Sequence, residues 1–178
     1  QPKTIKTHFQ VGFFISLSMR YHKLSEAQFR EMHKEFSIFL AAQGINKEEW
    51  DKIKEESVEK VDYLLNAFSD LVWEKIISTC AYLEFSTPDQ LYLFHTQEKS
   101  ATVFVVKISP QFTDLTTEAG FETLLNQLHS DKVTLYTATK PYTPSRNEFI
   151  YSYLKKGATL SKGARYSRLQ SYFSNSPK

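Results

Sequence analysis

Apolar residues recur at helical spacing in the first half of the chain. Between Phe29 and Leu40 they stand three or four positions apart, which places them on one face of a helix. Ser25 and Gln28 precede them at the spacing of a capping box, in which each side chain bonds the other residue's backbone amide. The pattern predicts one continuous first helix that ends at Gly44, because glycine favours the left-handed C-cap.

Two further helices are predicted in the same half. Asn46 and Glu49 repeat the capping-box spacing and indicate a short helix. Ser57 then caps a longer helix, whose apolar stripe runs from Val58 to Ile76. The front half of the chain is therefore expected to be helical.

The period changes after residue 80, where short β-rich runs replace the helical spacing. Strands are expected at residues 82–85, 91–96, 101–108 and 133–139. Residues 121–129 have a helical pattern between the last two strands. The continuous apolar run at residues 103–106 predicts that its strand is central and buried.

Two helices are predicted near the C-terminus. Ser145 and Glu148 have capping-box spacing and begin a helix that Gly157 ends, and Ser161 caps a last helix to Phe173. Helices, then strands, then helices define an α+β fold. We expect the N-terminal helices to pack on a small, mainly antiparallel sheet of three or four strands, with these two helices following.

The length of 178 residues fits one domain, which we assign to residues 19–173. Residues 1–18 are predicted to be a leader or a disordered extension. The chain begins without Met, and its early apolar segment lacks the small-residue cleavage site of a signal peptide. Met19 is therefore the expected natural start, and residues 174–178 are predicted to fray.

Composition places the chain among folded globular proteins, since 41% of its residues are hydrophobic and 15% are aromatic. The single cysteine, Cys80, excludes an internal disulfide and favours a reducing compartment. No apolar run approaches the roughly 20 residues that a membrane-spanning helix needs. We therefore expect a soluble, cytoplasmic protein with no membrane partner.

Positive charge is concentrated at the C-terminal end. From Lys140 to Lys178 there are eight Lys or Arg and one acid, a net charge of +7, whereas the whole chain carries +2. Such an end, rich in tyrosine, suits an anionic partner such as nucleic acid or an acidic protein surface. The alternative is a solvated face whose lysine stems pack on the protein. The candidate nucleic-acid contacts are Lys155, Lys156, Lys162, Arg165, Tyr166 and Arg168.

Motifs that would indicate catalysis are missing from the sequence. It contains no glycine-rich phosphate-binding loop and no nucleophile elbow. The histidines lack metal-ligand spacing, and the acidic run at residues 48–62 is interleaved with lysines. We therefore predict no catalytic residue, no metal and no cofactor. An enzyme would need a pocket holding at least two of His33, Asp70, Glu74, Cys80 and His95.

Several segments resemble a family of small uncharacterised proteins from Bacteroidetes. The longest matching segments are residues 19–25 (MRYHKLS), 68–75 (FSDLVWEK) and 82–85 (YLEF). The resemblance covers about residues 19–169 and supports Met19 as the natural start. It implies no activity and no site residues, because the family's function is unassigned.

These observations favour a non-catalytic binding or structural module. The first alternative is nucleic-acid binding through residues 155–168. The second is an enzyme whose site is not visible in the sequence. The ligand, the partner and the oligomeric state stay open at this point.

Overall fold

A computed structural model describes residues 20–175 of the chain. These residues form seven helices and five strands, so the predicted α+β class is confirmed. The chain divides into two compact units, the first ending at Val72 and the second beginning at Trp73. The single domain predicted for residues 19–173 stays a prediction. The predicted leader, residues 1–18, lies outside the described residues.

The first unit is helical, as its sequence pattern predicts. Its helices are α1 (Glu26–Glu31), α2 (His33–Ala42), α3 (Lys47–Glu56) and most of α4 (Val58–Ser78). Its core comprises Leu40, Ile45, Ile53 and Leu64, with partly buried aromatic residues packed against them. Burying such side chains contributes about 1.5–3 kcal/mol each, which holds these short helices together.

Helix starts in this unit follow the predicted caps. Ser25 accepts the amide of Gln28 and the Gln28 side chain accepts the amide of Ser25, so the capping box is confirmed. Asn46 Oδ1 accepts the amide of Glu49 at 2.9 Å and begins α3. The predicted C-cap is also confirmed, because Gly44 has a φ of +76°.

The prediction of a single first helix was wrong, because the chain breaks at Met32 between α1 and α2. Met32 has φ −102° and ψ 23°, outside helical geometry. The His33 Nδ1 atom lies 3.0 Å from the carbonyl oxygen of Arg30, so this side chain competes with the backbone for an acceptor. Apolar spacing continues across the break and therefore gives no sign of it.

The second unit contains one antiparallel sheet of five strands in the order β4-β3-β2-β1-β5. The strands are β1 (Tyr82–Thr87), β2 (Gln90–Thr96), β3 (Ser100–Ile108), β4 (Val133–Pro141) and β5 (Thr159–Ser161). The first four match predicted strands, and the predicted antiparallel pairing is confirmed. The count of three or four strands was wrong, because β5 pairs with β1 through Leu160 and Leu83.

Helices cover the two faces of this sheet. They are α5 (Glu118–Asn126), α6 (Arg146–Lys155) and α7 (Ala164–Asn175). On one face, Phe104 and Leu93 pack with Phe121 of α5 and Leu169 of α7. On the other face, the centre of the Phe94 ring lies 4.5 Å from that of Tyr153 in α6. We call these the α5/α7 face and the α6 face.

Helix α6 starts and ends close to the predicted residues, whereas the cap predicted at Ser161 was wrong, because Ser161 lies in β5 and α7 begins at Ala164. Ser145 Oγ accepts the amide of Glu148 at the start of α6, and Gly157, with a φ of +97°, follows its end. Helix α7 reaches Asn175, two residues beyond the predicted end. The remainder of the predicted frayed tail, residues 176–178, lies outside the described residues.

Candidate functional site

The lysines predicted to bind nucleic acid lie at separate places in the second unit. Lys155 and Lys156 are exposed at the end of α6, where their ammonium groups lie 5.1 Å and 5.0 Å from the ring centres of Tyr151 and Tyr153. Lys162 is exposed just before α7. A lysine over an aromatic face is held by cation–π attraction, but it keeps its charge available to an anion.

Arg165 is held by an acid and a backbone oxygen. Its guanidinium donates to Glu118 Oε2 at 2.9 Å and to the carbonyl oxygen of Leu115 at 3.3 Å. It also lies over the ring of Phe121, 5.0 Å from its centre, and only 16% of its side chain is exposed. Arg165 therefore connects α7 to the start of α5.

Arg168 makes a second connection between the same two helices. It donates through both terminal nitrogens to the Glu122 carboxylate, with Nη2 to Oε2 at 2.8 Å. Its Nη1 also lies 3.5 Å from Glu118 Oε1. Two of the predicted phosphate contacts therefore already have carboxylate partners, which a phosphate would have to displace.

The pairing of Arg168 with Glu122 predicts a pH-dependent contribution to stability. The hydrogen bond from Arg168 lowers the pKa of Glu122 from its ordinary value of 4.5. A carboxyl group whose pKa is lower in the folded state than in the unfolded state stabilises the fold. This contribution is fully present when the pH is above the unfolded-state pKa, and it is lost as the pH falls through the folded-state pKa.

We therefore expect Glu122→Gln to unfold at lower urea concentration than wild type at pH 7, with the difference shrinking to zero below the lowered pKa. Urea unfolding at a series of pH values measures this, and Glu98→Gln in the β2–β3 turn is the matched control. A difference that is constant with pH would contradict the assignment. The effect is small, because the pair is exposed to solvent.

Tyr166 is buried, whereas the nucleic-acid hypothesis needs an exposed ring. It is 3% exposed, and its ring centre lies 4.9 Å from that of Phe104 and 5.5 Å from that of Tyr82. Burial raises the pKa of its hydroxyl. Tyr166 stabilises the core on the α5/α7 face, and stacking on a base would require it to leave that core.

An aromatic cavity of about 270 Å³ opens on the α6 face of the sheet. The even-numbered positions of β2 point to this face, so Tyr92 and Phe94 lie side by side next to Phe85 of β1. Tyr153 of α6 contacts Phe94, and Lys156 of the predicted set is also part of the lining. We call this the α6 cavity; its lining residues are Phe85, Gln90, Tyr92, Phe94, Tyr153 and Lys156.

Polar groups in the α6 cavity are few and placed by specific contacts. The Tyr92 hydroxyl donates to Gln90 Oε1 at 2.9 Å, which leaves the Gln90 amide hydrogens as donors for a ligand. The Lys156 ammonium lies against the Tyr153 ring. The cavity therefore combines an apolar, aromatic wall with one positive charge and one amide donor.

Of these lining residues, only Lys156 belongs to the candidate nucleic-acid contacts predicted from the sequence. The alternation along β2 does carry a signal, since Gln90, Tyr92 and Phe94 stand two apart. It does not show that Phe85 pairs with Tyr92, or that the end of α6 lies over the same face. Those facts depend on strand register and helix packing.

A second cavity of about 510 Å³ lies beside β5. Its lining includes Ile76, Cys80, Tyr82, Leu160 and Lys162. Burial raises the pKa of the Cys80 thiol, which keeps it protonated and weakly nucleophilic at neutral pH. Lys156 and Lys162 thus line different cavities.

The residues that an enzyme would need have other roles. Asp70 accepts the amides of Arg20 and Tyr21 in the first unit, and His33 is exposed. Glu74 Oε1 accepts from the Asn147 side chain at 2.6 Å. His95 stacks on Tyr82, with ring centres 4.6 Å apart.

Neither of these two cavities holds two of the enzyme candidates. Within residues 20–175, no group of three or more His, Cys, Asp or Glu side chains is placed to hold a metal ion. No helix in that part of the chain is both long and apolar enough to cross a membrane.

Arg146 is a highly connected side chain to which the sequence pattern assigned no role. It donates to the carbonyl oxygens of Ile77 at 3.2 Å and Thr96 at 3.3 Å, and also to that of Cys80. The end of α4, the segment before β1 and the end of β2 therefore meet at one guanidinium. Its role is structural, because these acceptors are backbone carbonyls.

The fold and the site together define a class: an α+β protein with a five-stranded antiparallel sheet and an aromatic cavity under one helix. The chain belongs to the Family of unknown function (DUF6495), which it matches over residues 19–174. The predicted resemblance to an uncharacterised family is thereby confirmed at family level. No curated protein and no solved structure matches it significantly.

Proposed function

We propose that the protein is a non-catalytic binding module, and that the α6 cavity binds an aromatic ring that carries a negative charge. The observation that supports this is the convergence of four aromatic side chains and the Lys156 ammonium on one cavity. Few other groups line the cavity, so a ligand would be recognised by its shape and its charge.

Each part of the cavity matches part of such a ligand. Aromatic side chains favour edge-to-face or offset contact with another ring, worth about 0.5–1.5 kcal/mol beyond the area that is buried. Lys156 supplies the counter-charge, and the Gln90 amide donates to a carboxylate or phosphate oxygen. A volume of about 270 Å³ admits one small ring system.

A nucleotide has the same chemistry, since its base is aromatic and its phosphate is negative. The α6 face also carries a row of side chains across four strands: Phe85 pairs with Tyr92, Tyr92 with Val105, and Val105 with Tyr136. Tyr136 is 55% exposed at the far end of this row. Exposed aromatic residues on a sheet, with cations beside them, stack the bases of single-stranded nucleic acid.

The experiment compares three probes by nuclear magnetic resonance titration of the labelled protein: 2-naphthoate, adenosine monophosphate and a mixed-sequence single-stranded oligonucleotide. Shifts that saturate at Tyr92, Phe94 and Tyr153 support the proposed site. Oligonucleotide binding that weakens steeply with salt assigns the ligand to nucleic acid, whereas binding of naphthoate alone assigns it to a small carboxylate. If none of the three shifts the cavity residues, the proposal is wrong.

Lys156→Gln is expected to weaken binding of the probe about tenfold, equivalent to about 1.4 kcal/mol, because it removes the counter-charge in the cavity. The neighbouring Lys155→Gln is the matched control, since Lys155 lies over Tyr151 instead. Calorimetric titration of both variants with the same probe measures the difference. Equal losses in the two variants would mean that general positive charge, and not the cavity, attracts the ligand.

A further inference from the structure

The edge strand β4 is long and exposed. It stands at one end of the sheet order and has nine residues, Val133–Pro141. Its last six residues, from Tyr136 to Pro141, are all exposed, so side chains on both faces of the strand are open along this run. The opposite edge differs, because β5 has only three residues.

The hydrogen-bond phase of β4 shows which backbone groups point away from the sheet. Val133 pairs with Ile108, and the amide of Ser109 donates to the carbonyl oxygen of Lys132 at 2.9 Å. In an antiparallel ladder this bond flanks a non-hydrogen-bonded pair, so Val133 points its own backbone groups outward. The direction of the backbone groups alternates along a strand. The N–H and C=O groups of Leu135, Thr137 and Thr139 therefore also point away from β3.

Two of the outward-pointing positions have no backbone N–H free for a partner strand. Pro141 has the same phase as Val133, which fits its lack of an N–H donor. The amide of Val133 already donates to the carbonyl oxygen of Ser130. Within residues 20–175, the outward groups left for pairing are consequently those of Leu135, Thr137 and Thr139.

Over residues 133–139 this edge lacks the usual protection against strand pairing, which begins only at Lys140 and Pro141. From Val133 to Thr139 there is no charged side chain, and the strand pairs residue for residue with β3, without a bulge. Natural edge strands are normally shortened, bulged or charged to prevent association. An uncharged and regular edge therefore fits a partner strand.

We propose that β4 pairs antiparallel with β4 of a second copy of this chain, about a two-fold axis at Thr137. In this register Thr137 faces Thr137 of the second copy, and Leu135 faces Thr139. All outward backbone groups of these residues then find partners. The second copy is the occupant that the strand's own symmetry provides, since a two-fold axis makes one strand complementary to itself.

Neighbouring registers are less favourable. An axis at Tyr136 places Lys132 opposite Lys140 of the second copy, and like charges directly opposite are destabilising. An axis at Leu135 places Thr137 opposite Val133, whose amide is already bonded within its own chain. The axis at Thr137 avoids the like charges, and it leaves Val133 opposite Pro141 at the end of the ladder, beyond the paired residues Leu135, Thr137 and Thr139.

The test uses the charge of the residue on the axis. Sedimentation equilibrium of the wild-type protein should show a mass that rises with concentration from 20.7 kDa towards twice that value. Thr137→Lys and Thr137→Glu should each stay monomeric, because position 137 faces position 137 of the second copy and two like charges would then stand opposite each other. An equimolar mixture of the two should dimerise, since the charges are then opposite.

Leu160→Lys on the other edge strand, where Leu160 is 48% exposed, is the matched control and should dimerise as the wild type does. Circular dichroism checks that each variant is folded. A wild-type protein that is monomeric up to its solubility limit overturns the proposal. So does a mixture of the two Thr137 variants that stays monomeric, or a loss of dimer in Leu160→Lys.

Discussion

Arg146→Ala is expected to lower the free energy of unfolding by about 3 kcal/mol. The guanidinium donates to carbonyl oxygens from the end of α4, from Cys80 just before β1 and from the end of β2. Hydrogen bonds to a charged group contribute about 1.5–3 kcal/mol each, although water replaces some of them at a half-buried site. Alanine leaves these acceptors without their common donor.

The neighbouring bonds make local rearrangement difficult. The Thr96 hydroxyl donates to the carbonyl oxygen of Cys80 at 2.8 Å, and the Tyr142 hydroxyl donates to that of Gln97 at 2.6 Å. These bonds hold the carbonyls in place around Arg146. Burial raises the pKa of Tyr142, so its hydroxyl remains a donor at neutral pH.

Urea unfolding followed by circular dichroism measures this effect. Arg146→Lys should recover part of the loss, because an ammonium keeps the charge but lacks the planar fork that reaches several carbonyls. Lys155→Ala, on the same helix and exposed, is the control and should change stability by no more than about 0.5 kcal/mol. A loss in Arg146→Ala as small as that of the control would contradict the role assigned to Arg146.

Local signals in the sequence predicted the helix starts well. Ser25, Asn46 and Ser145 each bond an amide three residues ahead, so the whole signal lies within one turn. Four strands were also predicted, because their β-branched and aromatic runs are local features. These elements form where local preference and tertiary packing agree.

The missed features depend on residues far apart in sequence. Strand β5 has only three residues, and it is defined by its pairing with Leu83 of β1. Arg146 finds its acceptors Ile77 and Thr96 far earlier in the chain, 69 and 50 residues away. The α6 cavity requires the register of β1 with β2 as well as the position of α6, and no single segment encodes these.

The charge pattern along the sequence does not show which cations already have partners. It counts Arg165 and Arg168 as available cations, but the structure pairs them with Glu118 and Glu122. These acids lie 47 and 46 residues away, outside the basic segment. Lys156 is important for the opposite reason, because it lines one cavity together with aromatic residues from β1 and β2.

Gly120→Ala is expected to destabilise the protein by about 3 kcal/mol, although helix propensity alone predicts the opposite sign. Gly120 lies within α5, where alanine normally stabilises a helix by about 0.5–1 kcal/mol relative to glycine. A Cβ at this position would lie 1.7 Å from the carbonyl oxygen of Asp114. The overlap is with backbone, so no side-chain rotation relieves it.

The turn that carries Asp114 is fixed by its own hydrogen bonds. The carbonyl oxygen of Asp114 accepts the Thr117 hydroxyl at 2.9 Å, and its carboxylate accepts the amide of Thr116 at 2.9 Å. Thr117 in turn caps α5 by accepting the amide of Gly120. Moving the turn away from a new Cβ would therefore break the cap that begins the helix.

Gly157→Ala is the matched control, since Gly157 lies in the same unit and has a φ of +97°. A Cβ there would lie 3.7 Å from the Phe85 ring, which is ordinary contact, so the cost is the backbone strain of about 1–2 kcal/mol. Urea unfolding of both variants measures their free energies of unfolding. The loss in Gly120→Ala reports the steric overlap, and the loss in Gly157→Ala reports the backbone strain. If Gly120→Ala is as stable as the wild type, helix propensity outweighs the close approach, and the packing of α5 against the Asp114 turn is wrong.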